Sequence, residues 1–171
     1  RYEPAMVQLK MAEKLLPVIK NDSLCYRICL YIGWMNKQAG AHQTAFEYEQ
    51  KAKQYADATE NQHYIVNAMI HQVNTLNNMG QPEKGRQINE EAMNRYDSLE
   101  QNQRSTLLCN QAYYMMLDDS LDLTARAPRI AAYIYNKKYR NNQQIPADEK
   151  LDLAGNFAHM LGNDDPAYAD L

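Results

Sequence analysis

The chain has 171 residues, 45% of them hydrophobic and 23% charged, with a formal net charge of -3. This fits one domain or compact array able to bury a sizeable core. No apolar run is long enough to span a bilayer, and the mildly acidic balance argues against nucleic acid, whose phosphates demand clustered cations. Glycine and proline, at six each, are too few for a loop-rich scaffold, and three cysteines do not make a disulfide framework. The first residue is Arg1 and not Met, so a piece of a larger protein is expected.

In chain order, residues 1–20 read as a helix, with Pro17 near its end. A second helix is predicted from Ser23 to Ala39, capped by Asp22 or Ser23 and ended by Gly40. Further helices follow at Gln43–Ala58, Gln62–Met79 and Pro82–Leu99, where Pro82 suits a first helical position. Then come Asn102–Leu117, Thr124–Tyr139 with Pro128 inside it, and Ala147–Leu161. No segment alternates with period two, so no strand is expected.

An offset of 40 aligns these helices. Ala12, Ala52, Ala92 and Ala132 fall in one column, and Ala5, Ala45, Gly85 and Ala125 in another. The columns are seven residues apart, two helical turns, so each unit places two small residues on one face. The expected fold is all-α, a right-handed α-solenoid of antiparallel helix pairs with a period of forty residues. The chain divides into a partial unit at 1–20, repeats at about 22–60, 61–100 and 101–140, and an incomplete repeat at 146–171. The repeat-packing positions are Gly33, Ala45, Ala52, Gly85, Ala92, Ala125, Ala132 and Gly155.

The tetratricopeptide signature runs W-x2-L-G-x2-Y, then A-x3-F, then P. Here Cys29, Ile32-Gly33 and Asn36 stand in the first slots, Gly40 at the turn and Ala45 and Ala52 in the small slots. Leu151, Ala154-Gly155, Ala158, Gly162 and Ala167 repeat the pattern, and Pro17 closes a leading unit. The chain thus resembles a tetratricopeptide-like repeat domain. Its Asn- and Tyr-rich wording resembles the sensor regions of Bacteroidetes-type histidine kinases and regulators.

Chemistry-bearing motifs are missing. No phosphate loop, dinucleotide fingerprint, H-E-x-x-H or nucleophile elbow is present. His63 and His71 stand eight apart, about 80° round a helix, a poor metal pair. No cofactor, metal or catalytic residue is assigned. Cys25, Cys29 and Cys109 read as buried free thiols, and Cys29 and Cys109, two units apart, are too distant to bridge.

The resemblance implies which first-helix residues face a groove. They are Arg27, Leu30, Trp34 and Lys37; then Asn67, Ile70, Asn74 and Asn77; then Leu107, Asn110, Tyr114 and Leu117; then Glu149, Asp152, Asn156 and His159. Trp34 and Tyr114 are hot-spot residue types, and the asparagine amides suit the backbone of an extended peptide. The partner expected is therefore a protein or peptide, with no nucleic acid and no membrane insertion by this segment, and a homodimer is compatible with the pattern. The leading function is a non-catalytic interaction or sensory module, the periplasmic or extracytoplasmic half of a membrane-anchored two-component kinase or regulator. A cytoplasmic scaffold or adaptor is the alternative. A third reading is a hydrolase using His159, Asp152 and Glu149.

Overall fold

A computed structural model describes residues 3–118, together with Ser120 and Ala147. The described residues are all-α: α1 (Glu3–Leu15), α2 (Asp22–Gln38), α3 (His42–Ala58), α4 (Gln62–Asn78), α5 (Pro82–Met93) and α6 (Gln101–Leu117). The helices expected at Thr124–Tyr139 and, apart from Ala147 itself, at Ala147–Leu161 lie outside the described residues, as do Ala125, Ala132 and Gly155. The chain divides into two compact units, Arg1–Gln103 and Arg104–Leu171.

Three differences from the expected bounds have local causes. Pro17 has no N–H to donate and its ring clashes with the preceding turn, so α1 stops at Leu15 and a short 3-10 turn, Leu16–Val18, follows. α2 is capped by Asn21, not by Asp22 or Ser23; the Asn21 carboxamide accepts from the Leu24 N–H at 2.9 Å. α5 ends at Met93, six residues early. A second 3-10 turn, Tyr96–Ser98, follows, and the Ser98 hydroxyl donates to the Arg95 carbonyl at 2.8 Å. Such hydroxyls compete with the helical ladder. Leu99 then runs extended and buried.

Two turns are built alike. Gly40 and Gly80 take φ of 78° and 69°, the left-handed region where glycine carries no Cβ penalty. Ala41 N–H donates to Asn36 O and Gly40 N–H to Lys37 O, while Gln81 donates to Leu76 O and Gly80 to Asn77 O. Both are Schellman caps, which satisfy the last carbonyls of α2 and α4. Halfway between them, Glu60 adopts φ 55° at the end of α3.

In the first unit, consecutive helices from α1 to α5 pack on one another, and α2 also meets α4. α4 is the most enclosed, burying Ile65, Val66, Ala68, Met69, Ile70, Val73 and Leu76. The partner faces are stripes of small residues. α3 presents Ala45, Ala52 and Ala56, and α5 presents Gly85 and Ala92, all buried. Small side chains let the helix axes approach, which is how helices rich in charged and amide residues still enclose a core. In the second unit, Leu107, Asn110 and Tyr114 of α6 are buried, and Tyr114 meets Tyr113 edge-on at 5.4 Å.

Candidate functional site

The two faces of α2 do different work. One packs on α3. The other, with α4, walls a groove of about 560 Å³ lined by Tyr26, Arg27, Leu30, Tyr31, Trp34, His63, Tyr64, Asn67 and His71. The spacing explains the wall. Arg27, Leu30, Tyr31 and Trp34 stand at i, i+3, i+4 and i+7, and Tyr64, Asn67 and His71 at i, i+3 and i+7, each set on one helix face.

The groove has an ordered floor. The Tyr26 and Tyr64 rings stack at 4.7 Å with 22° between planes. Asn67 Nδ2 donates to the Tyr26 hydroxyl at 2.8 Å, and the Arg27 guanidinium donates to the Tyr64 hydroxyl at 3.3 Å. Tyr26 is buried, which pushes its hydroxyl pKa up. Above the floor Tyr31 is 60% and Trp34 39% exposed. At one end His63 Nδ1 meets Gln103 Oε1 at 3.1 Å, with Glu100 at 3.7 Å. At the other, burial and then the nearby Lys37 charge lower the His71 pKa to about 4, so the ring is neutral at pH 7. Its Nδ1 is buried without a hydrogen-bond partner.

A second polar cluster lies on the opposite side of α2. Glu49 of α3 is completely buried. Its Oε1 accepts from Lys37 Nζ at 3.3 Å and from the Thr75 hydroxyl at 2.8 Å, while Oε2 has no partner. Burial raises the Glu49 pKa; Lys37 and Thr75 pull the other way. Gly33 makes room for this carboxylate. A Cβ there would lie 3.0 Å from Glu49 Cγ and 3.2 Å from the Ala45 carbonyl oxygen.

Those residues named from sequence as groove-facing that are described have different surroundings. Arg27, Leu30, Trp34 and Asn67 line the groove. Lys37 turns away to Glu49. Ile70 is buried in the core, and Asn74 and Asn77 are half-buried. Asn110 and Tyr114 are each 8% exposed, too little for an open anchoring surface. Asp152, Asn156 and His159 lie outside the described residues. Glu49 was not among the sequence candidates, although Ala45, Ala52 and Ala56 at i-4, i+3 and i+7 place it on the buried stripe. The same offset of 40 sets it against Asn89, also buried between Gly85 and Ala92. None of Cys25, Cys29 and Cys109 is in a disulfide; the first two are buried as expected but Cys109 is half-buried, and burial pushes the Cys29 thiol up to about 11, well above a reactive range. Among the described residues no cluster of His, Cys, Asp and Glu could hold a metal ion, and no helix is long and apolar enough to cross a membrane.

The family model for "Citrate synthase, C-terminal domain" matches residues 38–171. The chain belongs to the citrate synthase family. The mitochondrial citrate synthase of Citrus maxima is 52% identical over 54 residues, 32% of this chain and 12% of that protein. That of Tetrahymena thermophila is 58% identical over 45 residues, covering 26% and 10%. A probable mitochondrial citrate synthase of Caenorhabditis elegans is 46% identical over 55 residues, covering 32% and 12%. The matched stretch thus spans only 12%, 10% and 12% of the length of these curated relatives. No solved structure matches the chain.

Membership in the citrate synthase family corrects several expectations. The resemblance to tetratricopeptide sensor repeats of Bacteroidetes-type kinases does not identify the family. The non-catalytic sensory module of a two-component system, and its alternative of a cytoplasmic scaffold or adaptor, give way to a family of enzymes. The periplasmic or extracytoplasmic assignment, with its cytoplasmic alternative, is set against relatives that carry "mitochondrial" in their names. The physical reason is common to all three. Small-residue columns and turn glycines report how helices pack, and the same packing serves unrelated chemistries. Short local motifs are silent here, whereas the family likeness runs through residues 38–171.

Proposed function

We propose that the whole protein is a citrate synthase, an enzyme that forms citrate, and that this chain supplies part of its C-terminal domain. The observation carrying this reading is the family match over residues 38–171; identities of 52% and 58% to two mitochondrial citrate synthases support it. By the same likeness the protein works in mitochondria. The test is to express the full-length protein in a strain lacking citrate synthase and to measure citrate in extracts. Restored citrate formation is expected; a stable, folded full-length protein that forms none overturns the reading.

For the first unit we propose the finer architecture of a right-handed α-solenoid with a forty-residue period. The matched caps at Gly40 and Gly80 and the paired stripes Ala45/Ala52 and Gly85/Ala92 support it. In a solenoid each repeat touches only its neighbours. Deleting residues 42–81, which joins Ala41 to Pro82, should therefore leave helicity per residue and a cooperative thermal transition. Loss of both would reject the repeat.

A further inference from the structure

The groove between α2 and α4 straddles the edge of the family match, with its α4 wall, His63 to His71, inside residues 38–171. Its α2 wall, Arg27 to Trp34, precedes the matched residues. Three features define the ligand it would take. Its volume of about 560 Å³ falls in the range of small-molecule sites. Its exposed walls are the rings of Tyr31 and Trp34 over the stacked Tyr26–Tyr64 floor. Its charge is one-sided: among the described residues that line it, Arg27 is the one formally charged side chain, and its electrostatic neighbours are tyrosines, with no carboxylate among them. Glu100, at the groove's end, faces His63 instead.

We propose that this groove binds a small aromatic carboxylic acid, with its ring against Tyr31 and Trp34 and its carboxylate on the Arg27 guanidinium. The guanidinium spends one donor on Tyr64 and has four more in a planar fork matched to a carboxylate. The stacked floor and the Asn67–Tyr26 bond hold the site in shape before the ligand arrives, which lowers the ordering cost of binding. Among the described lining residues, no acidic side chain repels the ligand.

Trp34 is the chain's single tryptophan, so its fluorescence reports the groove directly. The full chain is titrated with phenylacetate, with neutral phenylacetamide, with cationic phenethylamine and with a short peptide ending in phenylalanine. Phenylacetate should give a saturable change and bind about tenfold or more tighter than the amide and the amine, as one charge-assisted hydrogen bond implies. The Arg27→Gln variant should bind acid and amide alike. Tyr31→Ala should weaken phenylacetate by about threefold or more while keeping the acid–amide difference. The proposal fails if the amide binds as tightly as the acid, if Arg27→Gln leaves phenylacetate binding intact, or if no saturation is seen in a chain of native helicity. It fails too if the peptide binds more tightly than the free acid, since the groove is then a site for a chain terminus.

Discussion

The two faces of α2 solve opposite problems with similar residues. Toward α3, Gly33 and Ala45 bring backbones together over a fully buried Glu49, which keeps only Lys37 and Thr75 for company. Toward α4, bulky rings hold the helices apart and leave a groove with exposed Tyr31 and Trp34. The contrast teaches where each face spends its polar groups. The seam encloses a charge, so it is sensitive to any change of shape or protonation. The groove ties its tyrosines by single hydrogen bonds and leaves its rim in water, so its outer residues are replaceable without loss of fold.

The largest expected effect is at the seam. Glu49→Ala strands the Lys37 ammonium and the Thr75 hydroxyl, and removing one partner of a buried pair costs about 3–5 kcal/mol. Glu49→Gln keeps the shape and an acceptor for Thr75, so it should cost less than half as much. Denaturant midpoints of the two variants measure the difference; equal, small losses would mean that the pair contributes nothing.

Acid distinguishes the faces next. His71 has its pKa lowered from 6.5 to about 4, so the unfolded chain takes up the proton more readily. Its contribution is complete above pH 6.5 and disappears as pH falls toward 4, amounting to ~3 kcal/mol at most. Glu49 has a raised pKa, so its contribution is complete below 4.5 and declines as pH rises through the folded-state value. The two oppose each other. His71→Gln should abolish the loss of stability on acidification, and Glu49→Gln should steepen it. Unfolding free energy measured from pH 7.5 to 4 in the three proteins checks the signs.

How far the sequence revealed these faces depends on what each rests upon. The turns at Gly40 and Gly80 were legible because a left-handed residue after a helix demands glycine. Arg27, Leu30 and Trp34 were named from the family resemblance, and their helical spacing puts them on one face. Tyr26, Tyr64 and His71 were not, because their roles arise from stacking and burial between α2 and α4, and the rings of the stacked pair are far apart in sequence. Glu49 was passed over for another reason: a glutamate in a charged helix ordinarily faces water, and only its small neighbours reveal otherwise. The end of α5 was overextended because no glycine or proline marks it. The enzyme family stayed hidden because helix periodicity is silent about chemistry.

A smaller effect tests whether Gly33 is required by contact or merely tolerated. Gly33→Ala gains about 1 kcal/mol of helix propensity but drives a methyl to 3.2 Å from the Ala45 carbonyl oxygen and 3.0 Å from Glu49 Cγ. Overpacking of that kind costs about 1–3 kcal/mol, leaving a net loss of ~1 kcal/mol in thermal or denaturant unfolding. Combining it with Glu49→Ala removes the nearer contact, so the double variant should lose less than the sum of the singles. Additive losses would place the strain on the backbone oxygen alone.

The smallest effect is predicted on the other side of the same helix. Tyr31 is 60% exposed and heads for solvent from the groove rim, so its ring contributes little to the folded state. Tyr31→Ala should change unfolding free energy by less than about 0.5 kcal/mol, the usual range for surface substitutions. A loss above about 1 kcal/mol in denaturant unfolding, the size expected of a buried contact, would mean that the ring supports the Tyr26–Tyr64 floor, and the rim would then be part of the fold. A near-zero result has a sharper meaning beside Glu49→Ala. Alternate faces of one helix would then differ severalfold in structural cost, and the tyrosine kept at the exposed face would be explained by what it meets in the groove.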